Sequence, residues 1–469
     1  MSTQASTQAL SPEIIETLES AGQADQSAPA WLASVRAAGA DSLRARGLPT
    51  RKHEAWRFTP VKGVVQHAHQ AGAALAPQPD DRADALSAES ITALFADHLP
   101  AAADATAARV FVVNGRALLD AEDAGPALPA GVAVANLSSA SPALAEAAAR
   151  ALGQVSQSEH FAALNAALFE DALIVHVAQD ARPERPLQLV HASVPGADSD
   201  RPACVYPRVV VVVEPGAELC LIESTMAKAG TAQLISAVTE VVVGAGATVE
   251  HVRAQYGADA VYQLARVGVR QHERSTYRSR VVTLGGTLNR LDLEVALAGE
   301  GATCLLDGAY HADSGEHVEH QTRVDHQVPS CNSNQRYRGI IDGTGHAVFD
   351  ATALVQRDAQ HSDAHQENRN LLLSDDAVVN TKPHLRIDAD DVSCSHGTTV
   401  GALDDAQLFY LRTRAIDEAQ ARAMLTYAFV RAVIDDIPHA PLADSLAAKM
   451  RARLPHGETL APETDHVDH

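Results

Sequence analysis

Two residues near the carboxy-terminal end of the chain have the types and spacing of a metal-binding pair. Cys394 and His396 are separated by one residue in a segment whose pattern alternates like a β-strand. In an extended strand, residues i and i+2 lie on one face, about 7 Å apart. A thiolate sulfur and an imidazole nitrogen on one face suit iron, zinc or a sulfur species. Two ligands do not complete a metal site, and the alternative is a buried cysteine beside a hydrogen-bonded histidine.

A denser group of histidines has a less favourable spacing. The chain has 22 histidines, and four of them fall within sixteen residues: His311, His317, His320 and His326. Along one extended strand His320 and His326 would be about 20 Å apart, and His317 would face the opposite side from His320. We therefore expect no three of them to converge within one coil of chain.

The sequence lacks the motifs of several common enzyme and nucleotide-binding sites. His361 and His365 have the i, i+4 spacing of a zinc protease but lack its Glu, so we expect a surface turn or loop there. No G-x-x-x-x-G-K-[ST] run is present, so a process driven by ATP would need a separate subunit to hydrolyse it. G-x-S-x-G, the hydrolase elbow, is absent as well.

Net charge, cysteine spacing and the lengths of the apolar runs limit the partners and the cellular compartment that we expect. The chain has 469 residues and a formal net charge of −22, which argues against nucleic acid or an anionic membrane as a partner. Its five cysteines have no C-x-x-C spacing and are expected to be reduced thiols, with Cys331 in a polar, exposed loop. The first residues lack a basic start followed by an apolar run, and the longest aliphatic run covers only 209–213. We therefore expect a cytoplasmic protein.

The elements that would position the Cys–His pair change along the chain. Residues 1–170 read as a mostly helical region, including a helix over about 29–46 that ends at Gly47. From about 171 to 400, short β-branched strands alternate with small Gly-Ala turns, such as those at 215–217 and 244–247. This pattern fits a solenoid of stacked coils, and a β-sandwich fits almost as well. Residues 456–469 are expected to be a disordered tail.

Residues 401–455 are predicted to be helical and to bind a partner. Asp417 precedes Gln420 by three residues, which predicts a capped helix from about 417 to 435. The apolar residues of this helix occupy more than one stripe, so one packing surface cannot bury them all. We predict a partner-binding face that includes Leu425, Tyr427, Phe429, Val430 and Val433.

Two widely separated runs resemble the SufB/SufD family of iron–sulfur cluster assembly proteins. The first run is PTRKHEAW at 49–56, and the second comprises TKP at 381–383, ADDV at 389–392, CSHG at 394–397, TVG at 399–401 and QLFYLR at 407–412. The SufB branch carries a Glu- and Thr-rich run where this chain has SHGTTV, so the SufD branch is more similar. Ala415 departs from the pattern, because relatives commonly carry Gly there.

The resemblance implies a mainly β protein: a right-handed parallel β-helix with helical regions at both ends. It implies a scaffold without catalytic activity that pairs with SufB through the β-helix and docks the SufC ATPase through its carboxy-terminal helices. A homodimer is the alternative assembly in isolation. No permanently bound cofactor is implied. Cys394 and His396 would instead help to hold a transient iron or iron–sulfur cluster shared with SufB.

Two rival interpretations remain open from the sequence. A β-helix carbohydrate-active enzyme would carry a secretion signal and an aromatic-lined groove, and only 4% of these residues are aromatic. A structural adaptor would use Cys394 and His396 only for packing.

Overall fold

The computed structural model describes residues 9–23, 30–72, 87–99, 106–119, 128–153, 159–194 and 203–460. Its α-helices lie at the two ends of the chain, as the sequence predicts. They are α1 (Pro12–Gln23), α2 (Ala30–Arg46), α3 (Val61–Gly72), α4 (Ala88–Leu94), α5 (Pro142–Ala151), α6 (His160–Leu168), α7 (Asp405–Thr413), α8 (Glu418–Asp435) and α9 (Ala440–Arg453). None of these described helices is both long and apolar enough to cross a membrane.

Strands fill the centre of the chain. They are β1 (Ala108–Val113), β2 (Arg116–Leu118), β3 (Val132–Asn136), β4 (Leu173–Val177), β5 (Leu187–Ser193), β6 (Ala203–Val205), β7 (Arg208–Val213), β8 (Glu218–Ala227), β9 (Gln233–Val243), β10 (Thr248–Tyr256), β11 (Val261–Gln271), β12 (Thr276–Leu284), β13 (Leu288–Leu297), β14 (Thr303–Ala312), β15 (His317–His326), β16 (Asn332–Ile341), β17 (His346–Val355), β18 (Asp363–Leu372), β19 (Val378–Ile387) and β20 (Ser393–Gly401).

From β8 onward, successive strands alternate between two ten-stranded sheets. One sheet ends in the order β14-β16-β18-β20 and the other in the order β13-β15-β17-β19, with every pair parallel. Each strand therefore pairs with the strand two places later, which makes a parallel β-solenoid of about seven turns. The predicted mainly β fold is confirmed. The sandwich is excluded, because its sheets are antiparallel.

Apolar and polar residues alternate along the strands, and the apolar side chains fill the space between the two sheets. In β13, Leu291, Leu293 and Val295 are buried in the solenoid interior, whereas Asp292 and Glu294 face outward and are half-buried. The Gly-Ala turns form corners that stack from coil to coil. Gly216 and Gly246 adopt left-handed backbone there (φ 72° and 66°), a conformation that glycine reaches without steric cost.

Two groups of helices cover opposite faces of the solenoid, and α4 packs with the carboxy-terminal group. In the amino-terminal region, α2 packs on the fully buried α6, and α6 packs on β9. α8 packs on β14 and β16 of the other sheet, and α9 packs against α8. Of the tail predicted to be disordered, residues 457–459 form a short 3₁₀ turn against these helices, and residues 461–469 lie outside the described residues.

Candidate functional site

Cys394 and His396 lie on β20, the terminal strand of its sheet, and face the solenoid interior. In the register with β18, Cys394 pairs with Ala364, His396 with Gln366 and Thr398 with Asn368. These three β18 residues are buried, so they point inward. Because in-register strands place partners on the same face, the side chains of Cys394 and His396 also point inward. The strand and the shared face agree with the sequence prediction.

The solenoid interior is open at this end. We call this open end, formed by β19 and β20, the mouth. The inward-facing His396 and Thr398 are exposed there, since no further described strand covers them. Thr398 Oγ1 donates to Thr381 Oγ1 across the mouth at 3.1 Å, which links the two sheets. Large apolar side chains are also exposed on these strands: Val378, Ile387 and Val400.

The two candidate ligands differ in their surroundings. Cys394 is half-buried and packs against Val355, Ala359 and Ala389 at the corner of the last coils. Burial, and then the nearby Asp363 carboxylate, raise the pKa of the Cys394 thiol above its ordinary value. The thiol is therefore mostly protonated at neutral pH, and a bound cation would be needed to stabilise the thiolate. His396 is exposed, so its imidazole is available to a ligand.

On the outer face of the same strands, Ser395 belongs to a separate polar chain. Its hydroxyl lies 2.6 Å from Nδ1 of His365, and Nε2 of His365 lies 2.7 Å from Oδ1 of Asp363. The predicted turn or loop at His361 and His365 is thus half correct. His361 occupies a turn with left-handed backbone (φ 59°), whereas His365 lies on β18.

The four dense histidines have four different environments. His320 Nε2 lies 3.0 Å from Thr283 Oγ1 inside the solenoid, and His326 Nε2 lies 2.8 Å from Ser333 Oγ. His311 contacts Arg453 of α9, and His317 contacts Glu319. The structure does not bring them together, as the strand spacing predicted.

The amino-terminal signature lies against the outer face of the solenoid, a contact that the sequence did not reveal. Trp56 is buried, and Arg290 of β13 lies over its ring. Arg290 Nη1 donates to the Ala55 carbonyl at 2.7 Å and to Glu319 Oε1 at 2.8 Å. Although burial opposes ionisation of Glu319, Arg290 and its other partners lower the pKa of this carboxyl to about 2. The signature is therefore fixed by a buried ion pair.

The signature also reaches β19 at the mouth. Lys382 Nζ lies 3.3 Å from Glu54 Oε1 and 3.1 Å from Asp350 Oδ2. Glu54 belongs to the amino-terminal run and Lys382 to the TKP run. The two runs that carry the family resemblance therefore meet beside the candidate site, although 328 residues separate this pair.

The predicted partner-binding face of α8 needs correction. Tyr427, Val430 and Val433 are buried against the solenoid in a cluster with Tyr256, Ala309 and Ile340. Their side chains are not available to a partner, because the solenoid uses the second apolar stripe of α8. Leu425 and Phe429 are half-buried and stay predictions.

Exposed apolar side chains lie instead on α7 and at one position of α8. Phe409 is 69% exposed, Tyr410 is 57% exposed and Met424 is 37% exposed. Arg338 of β16 donates to the Phe429 carbonyl at 2.9 Å and fixes α8 on the solenoid.

The expected exposure of Cys331 was also wrong, because this residue is buried and its Sγ lies 3.4 Å from the Gly299 carbonyl.

Comparison with known proteins covers nearly the whole chain. A family model described as "SUF system FeS cluster assembly, SufBD core domain" matches residues 196–429, and one for the SufBD protein N-terminal region matches residues 18–189. The chain is 31% identical to the iron–sulfur cluster assembly protein SufD of Escherichia coli (strain K12), across 88% of this chain and 90% of that protein. It is 30% identical to an iron–sulfur cluster assembly SufBD family protein of Synechocystis, across 88% of each chain. It is 28% identical to the chloroplastic protein ABCI7 of Arabidopsis thaliana, across 92% of this chain and 88% of that protein.

Proposed function

The chain belongs to the SufBD family of iron–sulfur cluster assembly proteins, and we propose that it is a scaffold subunit of a SufB–SufC–SufD complex. In this role the chain catalyses no reaction by itself. It pairs with SufB, docks the SufC ATPase and helps to hold the nascent cluster, which is the cargo of the complex.

The observation that carries this proposal is the mouth with its inward-facing Cys394 and His396. A solenoid end with unpaired strand edges is a template for another chain. The exposed Val378, Ile387 and Val400 add apolar area that a partner would bury. A SufB β-helix seated on this end would continue the two sheets and enclose the Cys–His pair between the chains.

A shared site explains why this chain offers only two ligands. Iron in a cluster takes four ligands, which include thiolates and in some centres imidazoles. Cys394 and His396 supply a sulfur and a nitrogen from one strand face, and a SufB thiolate would supply more. Cluster or iron is then bound transiently, at the time when the partner completes the site.

The exposed apolar residues of α7 and α8 support SufC docking on the carboxy-terminal helices. Phe409, Tyr410 and Met424 are exposed among the described residues and offer apolar surface to a partner. Because the sequence contains no phosphate-binding P-loop, nucleotide hydrolysis falls to SufC. Arg338 of β16 is hydrogen-bonded to α8, so a movement of the helices can be transmitted to β16 and to its partner β18 next to the mouth.

Co-purification with SufB and SufC, followed by iron and sulfide analysis after anaerobic reconstitution, tests the proposal. We expect a stable complex that holds iron and sulfide in the presence of ATP. We expect Cys394→Ala and His396→Ala to keep the complex while lowering its iron and sulfide content.

The adaptor role has one observation in its favour, the apolar packing of Cys394. It predicts that both variants assemble clusters normally. That result would leave the chain as a structural partner without a ligand role.

A further inference from the structure

We propose that Gln366 is a positioning residue that holds the imidazole of His396 in one tautomer and one orientation. The inference deepens the proposed function, since it rests on His396 being a ligand of the cargo. It concerns a residue of the solenoid interior that does not itself touch iron.

Gln366 lies directly beneath His396. The two are register partners on β18 and β20, so their backbones are about 4.8 Å apart and their side chains share the inward face. Gln366 is 3% exposed, whereas His396 is exposed at the mouth. Residues in register on successive strands of this sheet form a column of inward-facing side chains. Gln366 is the last buried member of this column, and His396 is the first that a partner can reach.

The carboxamide of Gln366 is buried without a hydrogen bond. Neither its oxygen nor its nitrogen has a partner among the described residues. A buried polar atom left in this state costs about 1–3 kcal/mol. The same column contains Leu306 and Gln335, and Leu306 shows that an apolar side chain fits the interior at this level. A glutamine at 366 therefore needs a reason other than packing.

The imidazole above Gln366 supplies that reason. A neutral imidazole has one N–H donor and one nitrogen lone pair, and a ligand must present the lone pair to the metal. If the N–H donates to Gln366 Oε1, the other nitrogen faces the mouth. Ligating histidines commonly have such an outer partner, which fixes the tautomer and the ring orientation.

Gln335, one coil deeper, is placed to hold the Gln366 amide. Gln335 and Gln366 are register partners, and Gln335 Oε1 accepts from Thr322 Oγ1 at 2.6 Å. This contact directs the oxygen of Gln335 to Thr322 and leaves its amide nitrogen without a partner. A carbonyl oxygen has two lone pairs, so Gln366 can accept from Gln335 and from His396 together. The column then forms a ladder of hydrogen bonds that ends at the candidate ligand.

The first experiment measures the tautomer of His396 in the full-length, metal-free chain. Histidine labelled with ¹⁵N is observed by NMR at neutral pH, and the His396 signals are assigned by their loss in His396→Ala. We expect one dominant tautomer in the wild-type chain and a mixture of both in Gln366→Met, which keeps length without polar atoms. Asn289→Leu is the matched control, because Asn289 is an equally buried amide without partners on distant β13. It should leave the His396 signals unchanged.

Thermal stability separates positioning from folding. Gln366→Met removes the ladder but fills the same length of the interior, so the chain should stay folded and its melting temperature should change by only a few degrees. An unchanged tautomer population in folded Gln366→Met would overturn the inference. If Gln366→Met does not fold, Gln335→Met is measured instead, with the same expected redistribution and the same contradicting result.

Cluster assembly in the complex distinguishes this inference from the proposed function. We expect Gln366→Met to reduce the assembly rate or iron affinity by about tenfold or more, as loss of an outer partner does at other metal sites. A harmless His396→Ala would overturn the ligand role, whatever the tautomer result. An impaired His396→Ala with an unchanged tautomer in Gln366→Met would overturn the positioning role alone.

Discussion

The guanidinium carbon of Arg290 lies 3.9 Å from the centre of the Trp56 ring, and this contact joins the amino-terminal signature to the middle of the solenoid. A guanidinium over an indole face is a favourable cation–π arrangement, and it is stronger when the pair is removed from water. Both residues are buried. The signature is therefore part of the outer wall of the solenoid.

Loss of Arg290 should destabilise the protein strongly. Arg290→Ala leaves the buried Glu319 carboxylate without its cation, which costs roughly 3–5 kcal/mol for a buried pair. Chemical denaturation monitored by circular dichroism measures the change in the free energy of unfolding. Arg182→Ala, which removes an exposed pair with Glu218, is the control and should change stability by less than about 1 kcal/mol. Equal effects of the two substitutions would contradict the anchoring role.

His396 should matter for cluster assembly, and the buried histidines should matter for stability. We expect His396→Ala to impair cluster assembly strongly while changing the melting temperature little, because the side chain is exposed. His320→Ala and His326→Ala remove buried hydrogen bonds and should lower the melting temperature while leaving assembly per folded molecule nearly normal. Reconstitution assays and thermal melts on all three variants give the ranking. The reverse order in the assay would refute the site assignment.

Two exposed apolar positions should separate the two partners. Phe409→Asp should abolish co-purification with SufC and leave SufB bound, whereas Val400→Asp should weaken SufB binding and leave SufC bound. Both side chains are exposed, so the melting temperature should hardly change. Val430→Asp is the contrasting variant, because it places a charge in the interface between α8 and the solenoid and should unfold that region. SufC binding at unchanged affinity in Phe409→Asp would place its docking surface elsewhere.

Acid should destabilise the protein well before ordinary carboxylates titrate. Burial lowers the pKa of several histidines below the ordinary 6.5, among them His160, His191 and His326 to about 4, and His311 and His320 to about 3. The unfolded chain then binds protons before the folded one does. Stability is fully present above pH 6.5 and is lost as the pH falls from there toward 3.

Denaturant midpoints across this pH range measure the effect, with each pKa unit worth about 1.4 kcal/mol before screening. His191→Gln should flatten the dependence, because glutamine cannot be protonated there. A stability profile that is flat between neutral pH and about pH 4 would contradict the buried neutral state of these rings.

Two glycines of the solenoid should respond differently to one added methyl group. Gly339 faces the Tyr310 ring, and a Cβ there would lie 2.2 Å from the ring's Cε2. Gly339→Ala should therefore lower the free energy of unfolding by about 1–3 kcal/mol, the usual cost of overpacking, and lower the melting temperature with it. Gly397, at the mouth, has open space around the same position and is the control. Equal melting temperatures for the two alanine variants would contradict the ring packing.

Strand composition and spacing predicted the secondary-structure elements well, because they report local periodicity. The alternation of Leu291 to Val295 and the capping of α8 by Asp417, whose side chain accepts from the Gln420 amide, follow from neighbours in sequence. The choice between solenoid and sandwich did not follow, since it depends on which distant strands pair. That choice needed the family resemblance.

The candidate site was predictable only along its own strand. Spacing placed Cys394 and His396 on one face, but the buried partner Gln366 lies 30 residues away from His396 and carries no local signal. The same limit explains the error on α8. Its second apolar stripe was assigned to a partner, although the solenoid of the same chain covers Val430 and Val433. Burial by a distant segment cannot be read from the pattern of one helix.

Pro383 lies on β19, the strand at the open edge of its sheet. Proline has no N–H, and within a sheet it occupies an edge strand with the missing donor turned away from its neighbour. It stands in register with Ala351 of β17, so the row of donors offered to an incoming strand is interrupted at one known level. A strand paired at this edge forgoes one ladder hydrogen bond at that level. Proline on an edge strand weakens pairing with any further strand, and it therefore opposes the indefinite stacking of copies of this chain.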